Sequence, residues 1–174
     1  MEECHISQKG VAFMSLIPLG VFAVLIAILD QISKYLVIKL IDFGEVIDCV
    51  PGLFHLTYVK NTGAAFSMLE GQQWLFVLVF IAFVGLLVWS VRKKLLPFKT
   101  FELWCLAAVL GGGLGNIIDR LRLGYVVDMI EVEFITFPVF NVADCFITCG
   151  AIGLLLHLVL CNREFWKEEK KTES

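Results

Sequence analysis

The sequence predicts an α-helical membrane protein: four transmembrane helices with a small outward-facing β-sheet on the membrane surface. Three observations carry this. Of the 174 residues, 59% are hydrophobic and only 18% charged, with a mean hydropathy of +0.84. A soluble domain is about half apolar and a quarter charged, so too few charges remain to clothe a water-facing surface. Four stretches lack charge for close to the roughly 20 residues that cross a hydrocarbon core as a helix. Between the first and second of these, and between the third and fourth, lie segments that read as strands, the first by β-branched and aromatic content and the second by period-two alternation.

The first span covers residues 11–29, and its apolar pattern continues past Asp30 into Tyr35-Leu36-Val37-Ile38. It is longer than the core of a cleaved leader and lacks a small-residue cleavage site, so it reads as an uncleaved anchor. The second covers 71–91. The third runs over 103–118 and extends back to 101. The fourth covers 145–162 and contains His157. Arg92, Lys93, Lys94 and Lys99 crowd the second connection, and Arg163, Lys167, Lys170 and Lys171 mark the tail. Basic residues stay on the cytoplasmic side, so both termini are expected inside and segments 30–70 and 119–144 outside.

In the first outward segment, Leu53 to Val59 follows Pro51-Gly52 and reads as a strand, with a turn at Asn61-Thr62-Gly63. In the second, residues 125–135 read as a strand. Val126, Asp128, Ile130, Val132 and Phe134 share one face; Val127, Met129, Glu131, Glu133 and Ile135 share the other. Glutamates facing water put Asp128 on the apolar face. The charged tail 167–174 is the one low-complexity tract.

Other classes fall away. A net charge of −3 and a pI near 5.6 give no basic field for nucleic acid. Cys4, Cys49, Cys105, Cys145, Cys149 and Cys161 form no CxxC pair and read as small hydrophobes rather than a disulfide framework. Gly111-Gly112-Gly113-Leu114-Gly115 lacks the last glycine of a phosphate loop, because Asn116 stands there; Gly111 and Gly115 read as a site of close helix approach. Cys145, Cys149 and His157 recur at multiples of four along one helix, but packing explains them better than a metal. Ser67 has no histidine nearby to activate it. Neither metal nor cofactor is expected.

Chemistry is most legible in the acidic residues beside the spans. Asp30, Asp119, Asp128 and Asp144 all fall on the outward side, where charge next to hydrocarbon costs several kcal/mol by the milder scales. Each has a plain alternative. Asp30 and Lys34 form an i, i+4 pair, Asp119-Arg120 reads as a solvated pair, and Asp144 or Asn141 as a helix N-cap. Asp128, on an apolar strand face, lacks such a purpose. A return through Pro138 can bring Asp128 and Asp144 face to face. Two close carboxylates cannot both ionise easily, so one keeps a proton while the other activates a water. The helix dipole favours charge on Asp144, leaving the proton more often on Asp128.

At these motifs the sequence resembles the lipoprotein signal peptidases, the type II signal peptidases of bacteria. The matching runs are Asp30-Gln31-x-x-Lys34, Asn61-Thr62-Gly63-Ala64-Ala65-Phe66-Ser67, Gly115-Asn116-x-x-Asp119-Arg120, Gly124-x-Val126-Val127-Asp128 and Phe140-Asn141-x-Ala143-Asp144-x-x-Ile147, in the family's order between four spans. The stretch between Asp128 and Asn141 looks short for the family. The resemblance implies one membrane-embedded peptidase domain over 1–166, with residues 167–174 as a cytoplasmic tail. It implies an aspartic endopeptidase of the bacterial inner membrane that cleaves diacylglyceryl-modified prolipoproteins before the lipidated Cys. Asp128 and Asp144 would be catalytic. Asn61, Asn116, Arg120 and Asn141 would position substrate or the dyad. Asp30, with Lys34, would support the outward sheet. No metal is implied, and globomycin-type cyclic peptides would be inhibitors. A monomer in lipid is expected.

Two rivals make different predictions. A proton-coupled transporter would string Asp30, Asp128, Asp144 and His157 across the bilayer, whereas the aspartates cluster near one face and His157 reads as a packed interior residue. A non-catalytic scaffold would lose only stability when a carboxylate is removed.

Overall fold

The computed structural model describes residues 8–63, 71–93, 95 and 98–161, with side chains from residue 16 onward. The chain runs α1 (Gln8–Leu40), β1 (Val46–Val50), β2 (Phe54–Asn61), α2 (Gln73–Lys93), α3 (Thr100–Leu123), β3 (Val126–Val132), α4 (Val142–Leu160). Four helices are long and apolar enough to cross a membrane: Leu16–Leu40, Gln73–Lys93, Thr100–Leu123 and Val142–Leu160. Their outer faces stay apolar, with Leu25 and Ile32 on α1, Ile81 and Leu86 on α2, and Leu155 on α4 exposed where lipid would lie.

The third helix is the hub of the bundle, because its glycines let neighbours approach to backbone contact. A Cβ on Gly111 would stand 2.6 Å from the Ala23 carbonyl of α1, and one on Gly112 would collide with the Ala143 carbonyl of α4. In lipid such close packing replaces the hydrophobic effect as the force that joins helices. α2 rests mainly on α3 and buries no residue of its own.

Several helices outrun their expected ends. α1 continues to Leu40, so Asp30 and Lys34 sit within it rather than at its end. α3 continues to Leu123, so Asp119 and Arg120 belong to its last turns. Gly124 stops it in the left-handed region at φ 77°, a conformation glycine adopts without a Cβ penalty.

The sheet is antiparallel in the order β1-β2-β3. β1, which sequence patterning does not single out, adds the edge strand. Asn61 ends β2 instead of opening a turn, and β3 stops at Val132. Val37 of α1 and Ile41 just after it form a small core with Tyr58, Val127 and Met129. The β3 face that carries the glutamates therefore meets water only at its far end, around Glu131 and Glu133. The Ala64-Ala65-Phe66-Ser67 run, Lys94, Cys4, the basic tail positions from Arg163 onward and the tail 167–174 lie outside the described residues.

Candidate active site

Two elements, β3 and α4, deliver two carboxylates to one cavity of about 720 Å³. Asp128 points from β3 and is 2% exposed. Its Oδ2 accepts from Asn61 Nδ2 at the end of β2 (2.8 Å), and its Oδ1 from Asn141 Nδ2 (2.6 Å). Asp144 sits in the first turn of α4. Asn141 is the N-cap: its Oδ1 accepts the Asp144 amide (3.0 Å), and Asp144 Oδ2 accepts the Asn141 amide (3.2 Å). This reciprocal capping satisfies two otherwise orphaned helix donors. Of the two N-cap candidates, Asn141 takes the position and Asp144 answers it from the third helical residue; the other Asp144 oxygen remains for the cavity, where Oδ1 accepts from Asn116 Nδ2 at 2.8 Å.

Beneath the carboxylates lies a buried ionic cluster. Lys34 Nζ reaches Asp30 Oδ2 (2.8 Å), Asp119 Oδ2 (3.0 Å) and Asn116 Oδ1 (2.8 Å). Asp30, Lys34 and Asp119 are each at most 2% exposed. Charges at that depth persist only when paired and hydrogen-bonded, and each carboxylate oxygen here has a partner. Asp30 Oδ1 accepts the Ala143 amide at the start of α4, Asp119 Oδ1 accepts from Gln31 Nε2, and Asp119 Oδ2 accepts the Val127 amide of β3. A Cβ on Gly115 would strike the Asp30 carboxylate. Asn116 joins the two layers, accepting from Lys34 and Asn141 and donating to Asp144.

Two expectations change. Asp119 is not a solvated partner of Arg120; among the described residues it pairs with Lys34. Asp30 holds the start of α4, and the contact with the sheet comes from Asp119. Sequence reasoning under-ranked Asp119 because its partner lies on another helix; the signal available was a carboxylate directly following an apolar span.

Arg120 donates from Nη1 to the Asn116 carbonyl and from Nη2 to the Gly63 carbonyl, and stacks on Phe76 at 4.3 Å. Its buried Nε has no hydrogen-bond partner among the described residues. Apolar groups complete the cavity: Phe137, Val139 and Phe140 before α4, and Cys145 and Cys149 along it. Burial pushes the Asp128 carboxyl up to about 6, and the neighbouring Asp144 charge adds to this, against the Asn61 and Asn141 hydrogen bonds. At the other end of the bundle, His157 Nδ1 meets the buried Glu102 at 2.9 Å and its ring lies on Phe101, so it is the packed interior residue expected.

Fold and cavity together define a polytopic membrane enzyme class with paired carboxylates near one end of its bundle. The chain belongs to the signal peptidase II family, whose model matches residues 22–160. It is 43% identical over 156 residues to a lipoprotein signal peptidase of Streptococcus agalactiae serotype V, covering 90% of this chain and 96% of that protein. It is 42% identical over 149 residues to one of Streptococcus pyogenes serotype M1, covering 84% and 91%. Among solved structures, a bacterial membrane enzyme determined in meso at 2.3 Å superposes with a TM-score of 0.75 and 30% identity, over 83% of this chain and 88% of the other. A second, at 1.9 Å, gives 0.72 and 31%, over 81% and 92%.

Proposed function

We propose that this chain removes the signal peptide of diacylglyceryl-modified prolipoproteins, cutting before the lipidated Cys with water activated by Asp128 and Asp144. The observation that carries this is the pairing of two carboxylates on one apolar-walled cavity, each oriented by amides rather than by a cation. Asp128, with its raised affinity for a proton, donates to the scissile carbonyl. Asp144 takes a proton from the attacking water, whose oxygen bonds to the carbonyl carbon. The C–N bond then breaks, and the leaving amine collects the proton. Arg120, which lines the cavity, is placed to hold a substrate carbonyl, and Asn61, Asn116 and Asn141 keep the carboxylates aimed.

The substrate's signal helix and acyl chains arrive sideways through lipid, which suits a cavity walled by Phe137, Phe140 and α4. Both carboxylates and their amides come from one chain, which supports a monomer as the working unit. The cavity end of the bundle lies opposite the basic α2–α3 connection, so we place the site at the outer face of the bacterial inner membrane and both termini in the cytoplasm. Residues 1–166 act as one membrane-embedded unit, and globomycin-type peptides would compete for the same cavity.

The test is cleavage of a lipidated prolipoprotein in liposomes, followed by gel shift, for wild type, Asp128→Asn and Asp144→Asn. Wild type should release the signal peptide, and both variants should fold yet lose at least a thousandfold in kcat. Retained cleavage by either folded variant would show that its carboxylate is structural. Retained cleavage by both would move the chemistry elsewhere.

A further inference from the structure

At the end of the sheet away from Asn61, strand register gathers a second set of ionisable groups. Asp48 of β1 pairs directly with His55 of β2, and His55 with Glu131 of β3. Register partners share a sheet face, so the three stand in a row across the strands, with Glu133 following on the same face. Oxygens of Asp48 and Glu133 and a ring nitrogen of His55 lie within 4.8 Å of one another.

The orientations of Glu133 and His55 are fixed by neighbouring groups. The Gly52 amide donates to Glu133 Oε2 at 2.6 Å, leaving Oε1 turned to His55 Nδ1 at 3.1 Å. On the far side of the ring, His55 Nε2 meets Glu131 Oε2 at 2.8 Å. With its proton on Nε2, given to Glu131, the imidazole directs its Nδ1 lone pair at Glu133 and Asp48. A carboxylate behind a histidine, fixing tautomer and ring, is the usual outer support of a metal-binding imidazole. Ligands about 2.1 Å from a tetrahedral zinc stand roughly 3.4 Å apart, within the span these atoms already keep.

We propose that Asp48, His55 and Glu133 bind a divalent transition cation of the zinc class, with Glu131 orienting His55 and water in the fourth position. One imidazole with two carboxylates suits zinc rather than calcium or magnesium, which prefer oxygen alone. The ion would pin β1, β2 and the end of β3 together. It would be structural, clasping the sheet whose other end carries Asn61 and Asp128, and would take no part in peptide hydrolysis.

The experiment is calorimetric titration of the untagged full chain in detergent with zinc chloride, after chelator treatment. Wild type should bind one zinc at micromolar or lower Kd and gain thermal stability as zinc is added. His55→Gln should weaken binding at least a hundredfold. Glu131→Gln, which removes only the orienting partner, should weaken it 10- to 100-fold. Each variant's unfolding without zinc is compared with wild type, so that a folding defect is separated from a lost ligand. No saturable wild-type binding below about 100 µM, or unchanged binding by His55→Gln, overturns the site. Loss of binding in Cys49→Ser with His55→Gln unaffected would place the ion on a thiol, which also overturns it.

Discussion

Replacing Lys34 with methionine removes the cation that reaches Asp30, Asp119 and Asn116 at 2.8, 3.0 and 2.8 Å. Methionine keeps most of the side-chain volume, so the change reads the charge rather than a cavity. It leaves two buried carboxylates without the ammonium that pairs with both. Breaking a buried ion pair by removing one partner costs about 3–5 kcal/mol. For a chain of this size each kcal/mol moves the midpoint by about 2–4 °C, so thermal unfolding in detergent should fall by about 6–20 °C. The intrinsic fluorescence of Trp74, Trp89 and Trp104 reports it. Lys34→Met/Asp30→Asn/Asp119→Asn removes every charge but keeps the oxygens that accept the Ala143 and Val127 amides. Neutralising a whole cluster is far gentler than halving it, so the triple variant should recover at least half of the lost midpoint. A single variant within about 2 °C of wild type, or a triple variant less stable than the single, would refute the view that the cluster is held by Lys34.

Four further expectations follow from the geometry. Asn141→Ala removes a donor from Asp128 and the cap of α4, so kcat should drop at least tenfold and stability by about 1 kcal/mol, measured by cleavage and by thermal unfolding. Gly112→Ala drives a methyl into the Ala143 carbonyl; the overpacking should cost about 1–3 kcal/mol, whereas Gly85→Ala, with nothing within 4 Å, should unfold like wild type. The pH dependence has a definite sign. The Asp128 carboxyl is pushed up to about 6, so it keeps its proton through the weakly acidic range and loses it above. kcat/KM should therefore fall tenfold per pH unit on the alkaline side of an apparent pKa within about one unit of 6, the value belonging to the pair; a flat profile from pH 5 to 8 contradicts the assignment. Glu102→Gln weakens the Glu102–His157 contact and should cost about 1–3 kcal/mol of stability, with kcat unchanged because the pair lies at the end of α3 opposite the dyad.

Much of this was legible in the sequence. The four spans announce themselves through uncharged length, and the carboxylates through position: Asp128 breaks an apolar strand face, and Asp144 opens an apolar helix. The glycine run also reads correctly as helix contact, since its members meet Ala23, Ala143 and Asp30. What hid was whatever depends on partners distant in sequence. Asp119 beside Arg120 reads locally as an ion pair, yet helix periodicity turns the two to different sides, and the nearer cation in space is Lys34 of another helix. The edge strand β1 hid because its residues are exposed throughout, so no buried face imprints alternation on it. Asp48 and His55 meet only through strand register, which no local pattern encodes. The continuation of α1 past Asp30 was half visible in its apolar pattern, but a charge at the end of a span imitates a helix terminus unless its partner is known.

On the proposed mechanism, the division of labour between the two polar layers follows from what a shared proton requires. A dyad must hold one carboxyl protonated and the other ionised. A cation in direct contact would favour the charged form of both and abolish the acid. Neutral amides orient carboxylates more gently: Asn61 and Asn141 both donate to Asp128, and burial still keeps it protonated well above the ordinary carboxylate range. The charge needed to anchor three helices at this depth is placed one layer below instead, where Lys34 satisfies Asp30 and Asp119 and touches the dyad only through Asn116 and its amide. Rigidity is thus transmitted upward by hydrogen bonds, while the full positive charge stays one residue away from the carboxylates it supports.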